Sequence, residues 1–229
     1  VYGPRRLTAL LGVRELVVNT ALHAGLTYRI TDTLTLGISF RDKIVADSTG
    51  YQYLYIKPVA ENGDVVEDLA KSLPVIQVPL DIYAFFRPRE YTIGLGGTYG
   101  RLTAELDLTY AQWSDYRGPH GETPPEKFKD TWTPRLGIEY ALGDRWRLRA
   151  GYVWRPTPVP AQTGATNYLD ADTHIFSAGC AYRIGRGSIE THVQYQSMAD
   201  TTIHTDGGLP DVDYSGSLWN AGLTYTVRY

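Results

Sequence analysis

Residues 146–155 read Trp-Arg-Leu-Arg-Ala-Gly-Tyr-Val-Trp-Arg, a strict alternation that an extended strand turns into two chemically distinct faces. One face carries Trp146, Leu148, Ala150, Tyr152 and Trp154, and the other carries Arg147, Arg149, Gly151, Val153 and Arg155. A soluble barrel closed around a greasy ligand would turn its apolar residues inward and its charges outward. Aromatics at both ends of the apolar face, with guanidiniums behind it, suit hydrocarbon outside and a wet lumen inside. A slip of one residue would aim the arginines at lipid, at about 2–4 kcal/mol each near the bilayer midplane. The register is therefore strongly specified.

The pattern recurs along the chain. Leu34, Leu36, Ile38 and Phe40 oppose Thr35, Gly37, Ser39 and Arg41. Leu102, Ala104, Leu106, Leu108 and Tyr110 oppose Thr103, Glu105, Asp107 and Thr109. Leu136, Ile138, Tyr140 and Leu142 oppose Arg135, Gly137, Glu139 and Ala141. Ile189, Thr191, Val193 and Tyr195 oppose Glu190, His192, Gln194 and Gln196. Trp219, Ala221, Leu223, Tyr225, Val227 and Tyr229 oppose Asn220, Gly222, Thr224, Thr226 and Arg228.

Strands are expected near 19–30, 34–47, 78–98, 101–114, 131–142, 146–155, 173–184, 188–198 and 215–229, about nine in all. Short connections at 31–33, 99–101, 143–145 and 185–187 alternate with long ones near 48–76, 115–130, 156–172 and 199–213. Outer-membrane barrels have short periplasmic turns and longer extracellular loops. On that topology the last strand starts outside and ends with Tyr229 in the periplasm.

Composition is compatible with this reading. Mean hydropathy is -0.27, and no apolar run approaches the roughly 18 residues of a membrane helix. In a barrel only every second residue faces lipid, so bulk hydropathy stays low. Eighteen Tyr, five Trp and 23 Gly suit aromatic girdles and close strand packing. A net charge of -3, with no basic cluster interleaved with aromatics, argues against nucleic acid. Cys180 is the sole cysteine, so no intrachain disulfide forms. It falls in phase with Phe176, Ala178 and Tyr182, as a small lipid-facing residue would.

Bacterial single-chain barrels have an even number of strands, and the first of these nine would descend from the outer surface. The expectation is an all-β, antiparallel transmembrane β-barrel, of which this chain is the C-terminal part.

The ordered series of segments resembles the FadL/TodX (OmpP1-type) family of outer-membrane transporters of hydrophobic compounds. The resemblance is carried by Lys127-Phe128-Lys129-Asp130-Thr131-Trp132, then Arg135-Leu136-Gly137-Ile138-Glu139-Tyr140. It continues with Trp146-Arg147-Leu148-Arg149-Ala150-Gly151-Tyr152, and then Pro156-Thr157-Pro158-Val159-Pro160. Leu36-Gly37-Ile38-Ser39-Phe40-Arg41, Leu106-Asp107-Leu108-Thr109-Tyr110 with Trp113-Ser114, the stretch 174–182 and Tyr229 fit as well. The resemblance implies a barrel of about fourteen strands, an even count, closed inside by an N-terminal hatch. This chain would match the last nine strands, as residues 19–229, with residues 1–18 the remnant of an extracellular loop.

By position, that loop and the one near 48–76 would build the family's first ligand groove. Leu7, Leu10, Leu11, Arg14 and Val18 recur at spacings of three and four, which predicts a short helical face. Val65, Val66, Leu69 and Leu73 look similar ahead of Pro74. Leu7, Leu10, Leu11, Val66, Leu69 and Leu73 are the candidate ligand-binding residues. The competing reading is that these residues only pack the loops together.

Arg29, Arg41, Arg135, Arg147, Arg149, Glu105, Asp107, Glu139 and Glu190 fall in lumen phase, with Lys43, Arg155, Arg183 and Arg228. In a plugged barrel they would pair with one another, and in a general porin they would line an open channel. A barrel enzyme would need a positioned Ser–His or Asp–His group near the outer rim. None of His23, His120, His174, His192 and His204 adjoins a convincing serine motif, although Asp200, Asp206, Asp211 and Asp213 lie near His204. No catalytic residue, metal site or cofactor is predicted. The expected partners are a hydrophobic small molecule and outer-membrane lipid or lipopolysaccharide (detergent in vitro), with the chain a monomer in the bacterial outer membrane. The expected function is passive, ligand-gated diffusion of long-chain fatty acids or aromatic hydrocarbons.

Pro88 interrupts the strand near 78–98, and the apolar phase changes across it, from Ile82, Ala84 and Phe86 to Tyr91, Ile93 and Leu95. A bulge is predicted at 87–89, since proline removes a ladder donor.

Overall fold

Backbone pairing follows the side-chain alternation. The computed structural model describes residues 6–12, 19–59, 74–118, 121–161, 168–204 and 210–227. In chain order the strands are β1 (Arg6–Gly12), β2 (His23–Arg29), β3 (Leu34–Arg41), β4 (Ile44–Val59), β5 (Ile76–Arg87) and β6 (Arg89–Tyr99). After β7 (Leu102–Gln112) and a single 3-10 turn at Trp113–Asp115 come β8 (Thr131–Leu142), β9 (Trp146–Arg155), β10 (Thr173–Ile184), β11 (Gly187–Ile203) and β12 (Val212–Val227).

The chain forms two units. The larger contains a nine-stranded antiparallel sheet in the order β12-β11-β10-β9-β8-β7-β6-β3-β2. Its register aligns like with like. Tyr28 faces Leu36, and the same row continues through Leu95, Leu106, Leu136, Tyr152, Phe176, Tyr195 and Trp219. One residue further along, the row is Arg29, Thr35, Gly96, Glu105, Gly137, Gly151, Ser177, Gln194 and Asn220. One row is wholly aliphatic or aromatic, and the next contains no large apolar side chain.

The apolar rows are uncovered: Leu106 is 55% exposed, Trp219 68% and Leu223 73%. A monomer in water rarely shows a contiguous apolar patch beyond a few hundred Å². Here such a patch crosses the entire sheet, and hydrocarbon is the solvent that suits it.

The hairpin turns of the larger sheet all lie at one end. Gly100, Gly143 and Gly185 take φ of 60, 65 and 55° in successive turns, a left-handed conformation open to glycine at little cost. The β2–β3 turn has no glycine. There Thr31 Oγ1 accepts from the backbone N–H of Leu34 at 3.0 Å and of Thr33 at 3.3 Å.

Apart from Ala181, most buried residues lie at the other end. Ala111, Phe128, Thr131, Ala171, Thr173 and Ile203 are each at most 7% exposed, and all sit at strand tops or in the long connections. The strand tops there run further than the alternation alone suggested. β11 continues to Ile203 and β12 begins at Val212, so much of the loop expected over 199–213 is strand. A one-residue bulge between Met198 and Thr201 lets the ladder pass through this polar run.

The smaller unit contains a three-stranded sheet ordered β1-β4-β5. It corrects several expectations. Leu7, Leu10 and Leu11 do not form a helical face: β1 pairs with β4, placing Leu7 opposite Pro58, Leu10 opposite Tyr55 and Leu11 opposite Leu54. A short isolated helix is marginal, whereas pairing along β4 satisfies the backbone of the segment. Arg14, Val18, Val65, Val66, Leu69 and Leu73 lie outside the described residues. The loop expected over 48–76 is strand through Val59, because Tyr51-Gln52-Tyr53-Leu54-Tyr55-Ile56 is rich in β-formers.

The strand expected over 34–47 is two strands, separated by Asp42 and Lys43. The strand expected over 78–98 is also two, β5 and β6, on either side of Pro88. The interruption at Pro88 is thus a passage between sheets rather than a bulge within one. Arg41 faces Glu90 in the larger sheet, and Ile44 faces Arg87 in the smaller. The actual register shift of β4 and β5 falls between Ala46 and Asp47.

Candidate functional site: a charged wall behind an apolar belt

Strand β9 brings Arg147 and Arg149 to the polar face of the larger sheet, between Glu139 of β8 and Glu190 of β11 (two strands away). Arg147 Nη1 donates to Glu139 Oε1 at 2.8 Å, and Arg149 Nε donates to Glu139 Oε2 at 2.7 Å. Arg149 Nη1 also donates to Glu190 Oε2 at 2.8 Å. Strands lie about 4.8 Å apart, so this last bond spans β10. The β10 residues in the way are small: Gly179 is the ladder neighbour of Arg149, and Ala181 that of Arg147.

Other polar-face positions are shaped in the same way. A Cβ at Gly94 would overlap the Asp107 carboxylate, and one at Gly222 would overlap the His192 ring. Glycine on this face makes room for the long side chain on the next strand.

Of the predicted lumen charges, Glu139, Arg147, Arg149 and Glu190 are brought into one network. Arg135 donates to Thr109 Oγ1 at 2.6 Å, and that hydroxyl also bonds Thr92 at 2.8 Å. Arg29, Glu105 and Asp107 line a groove of about 630 Å³ with glycines and threonines of β2, β3 and β6. Arg41 pairs with Glu90 at 3.0 Å, beside Arg89–Asp42 at 2.9 Å and Lys43–Asp115 at 3.1 Å. Glu90, Asp42, Arg89 and Asp115 did not emerge from the sequence. The charged runs Arg41-Asp42-Lys43 and Arg87-Pro88-Arg89-Glu90 were the signal available. The hydrogen bond from Arg89, helped by the Lys43 N–H, holds the Asp42 carboxyl below the usual aspartate range.

Apolar-face aromatics gather toward both strand ends. Toward the loops, Phe40 lies 5.2 Å from Tyr91, Tyr91 6.4 Å from Tyr110, and Tyr110 4.8 Å from Trp132 between ring centroids. Tyr195 and Trp219 form a further pair on the apolar face at 4.5 Å. Toward the turns, Trp146 packs at a tilt against Tyr182, with centroids 4.4 Å apart. Amphipathic rings favour the membrane–water boundary, where one edge meets hydrocarbon and the other water. Cys180 faces Leu148 on this apolar face.

A stapled set of loops caps the sheet. Lys129 N–H donates to Pro158 C=O at 2.8 Å, Thr157 N–H to Asp172 Oδ1 at 2.8 Å, and Thr157 Oγ1 to Asp170 Oδ2 at 2.9 Å. Tyr214 hydroxyl donates to Asp170 C=O at 2.9 Å. Phe128, Tyr116 and Tyr168 form a ring cluster with centroids 4.3 to 5.8 Å apart. Asp130 accepts from Tyr110 hydroxyl at 2.5 Å and from Ser114 N–H at 2.8 Å. Burial opposes ionisation of Asp130, but these hydrogen bonds outweigh it and keep the carboxyl below the usual range.

Among the histidines, His174 Nδ1 lies 2.8 Å from Tyr152 hydroxyl, and His204 Nδ1 lies 2.9 Å from Asp211 in an exposed loop. His120 lies outside the described residues. Among the described residues, no group of three or more His, Cys, Asp or Glu is placed to hold a metal ion.

The model of one protein family, "Outer membrane protein transport protein (OMPP1/FadL/TodX)", matches residues 6–229. Among curated proteins none matches. Several solved structures do. A Pseudomonas aeruginosa FadL homologue is 23% identical with a TM-score of 0.59, over 89% of this chain and 50% of that one. The CymD monoaromatic hydrocarbon channel is 18% identical with a TM-score of 0.56, over 90% and 50%. The P. putida toluene transporter TodX is 18% identical with a TM-score of 0.55, over 90% and 48%. At these identities the likeness is one of fold. The chain spans about half the length of these solved relatives.

Proposed function

Because this chain belongs to the outer membrane protein transport family (OMPP1/FadL/TodX), we propose that it supplies nine strands to the wall of an outer-membrane β-barrel that admits hydrophobic small molecules by passive, ligand-gated diffusion. The observation that carries this reading is the unbroken apolar row from Tyr28 to Trp219, backed by a row without any large apolar side chain. Lipid and lipopolysaccharide solvate the first face, and a wet lumen receives the charges of the second. Leu7, Leu10, Leu11, Val66, Leu69 and Leu73 are proposed to contribute to an outer apolar groove, where burial contributes about 0.8 kcal/mol per CH₂ of a ligand.

The substrates proposed are long-chain fatty acids or aromatic hydrocarbons. The aromatic option draws on the solved relatives named as toluene or monoaromatic hydrocarbon channels. Uptake of labelled oleate and of labelled toluene by cells carrying the full protein tests the proposal. Uptake of at least one, with no large steady conductance in planar bilayers, is expected. Large steady ion channels without uptake would instead identify a general porin.

A further inference from the structure

At the turn end of the polar face, a concavity of about 700 Å³ lies over the β8–β9 and β10–β11 turns. Five arginines line it, Arg145, Arg147, Arg149, Arg183 and Arg186, together with the acidic residues Asp144 and Glu190. Arg147 and Arg149 are engaged by Glu139 and Glu190. Counting Glu139 as well, five positive charges meet three negative ones, an excess of two. Arg145, Arg183 and Arg186 form no ion pair among the described residues. The backbone brings two of them together, with Arg183 N–H donating to Arg145 C=O at 2.9 Å. Ala181, Gly185, Gly187 and Ser188 leave the floor without bulk.

Like charges held side by side repel, and a concave wall focuses their field onto whatever enters. The guanidinium fork matches the two oxygens of a carboxylate or phosphate. We propose that this concavity binds the oxyanion head, carboxylate or phosphate, of an amphiphile at the turn end of the wall. The site goes beyond the transport reading, which assigns no residue to the polar head of an amphiphile.

The test uses the full protein in dodecyl maltoside, titrated calorimetrically with dodecanoate, dodecyl phosphate and neutral dodecanol. Both anions bind, and Arg145→Gln/Arg183→Gln/Arg186→Gln weakens them by on the order of tenfold while dodecanol is unchanged. Preference for dodecanoate indicates an acyl carboxylate as the natural occupant, and preference for dodecyl phosphate a lipid headgroup. Should the triple variant fail to fold, Arg186→Gln alone, at a turn tip, weakens the anions by roughly threefold. Arg101→Gln, in the β6–β7 turn outside the concavity, leaves anion binding at its original strength. Anion affinity unchanged in the triple or single variant, or an equal loss in Arg101→Gln, overturns the proposal. Toluene uptake by the triple variant stays at the unmodified protein's level; absence of uptake by the unmodified protein strikes at the transport reading and leaves the binding result standing.

Discussion

Arg149 holds Glu190 across an intervening strand, with its Nη1 2.8 Å from Glu190 Oε2 and Gly179 of β10 as its ladder neighbour. A Cβ at Gly179 would meet the Thr191 carbonyl oxygen at 3.1 Å and Arg149 Cβ at 3.8 Å. Gly179→Val is therefore expected to destabilise the protein by about 1–3 kcal/mol through overpacking. Gly137→Ala, with open space around it, should change stability by less than about 0.5 kcal/mol. Urea unfolding of the full protein from phospholipid vesicles measures both.

The bond itself is worth less than its geometry suggests, since both side chains are well exposed (43% and 38%). A double-mutant cycle of Arg149→Met and Glu190→Gln should give a coupling of about 0.2–1 kcal/mol. It should shrink in 1 M salt, where the screening length falls to about 3 Å. A coupling that ignores salt would place the pair away from water.

The two faces should respond oppositely to charge. Leu106→Arg, in the apolar row, is expected to cost about 2–4 kcal/mol if it lies near the bilayer midplane, and Glu105→Arg, one residue away on the polar face, about 1 kcal/mol or less. Comparable losses at both positions would contradict the assignment of faces.

Asp130 makes the loop cap acid-sensitive. Its pKa in the folded protein lies below the unfolded value, so its contribution is complete above the unfolded pKa and is lost as pH falls through the folded one. Hydrogen exchange at the Ser114 amide should therefore show lower protection once pH drops below about 4. In Asp130→Asn that pH dependence should disappear.

Much of the larger sheet was legible because lipid and lumen impose a period of two on every strand, as in Leu106-Asp107-Leu108-Thr109. The turn glycines were legible for a similar reason, each marking a reversal between two alternating runs. The breaks at 42–43 and at Pro88 were not, because alternation reports the face of a residue and is silent on which sheet it joins. Residues 48–59 were misread because Asp47-Ser48-Thr49-Gly50 has turn composition, while the tyrosines beyond it are β-formers that extend the strand. Leu7, Leu10 and Leu11 were misread since spacings of three and four arise by chance in seven residues, and pairing with β4 outweighs so short a helix. On the polar face, phase located the charges but not their partners. Arg149 bonds Glu190 two strands away, a choice set by the small residues of β10, and Arg135 bonds Thr109.

The most direct test of the account is a nitroxide scan of residues 146–155 in the full protein reconstituted in lipid, with Cys180 first replaced by Ala. Labels at Leu148, Ala150 and Tyr152 should be relaxed by oxygen dissolved in the bilayer, and labels at Arg147, Arg149 and Gly151 by an aqueous nickel chelate. That two-residue oscillation is the predicted result. A flat profile, or an oscillation of the opposite phase, would contradict the claim that the tryptophan-and-leucine side of the sheet is solvated by hydrocarbon.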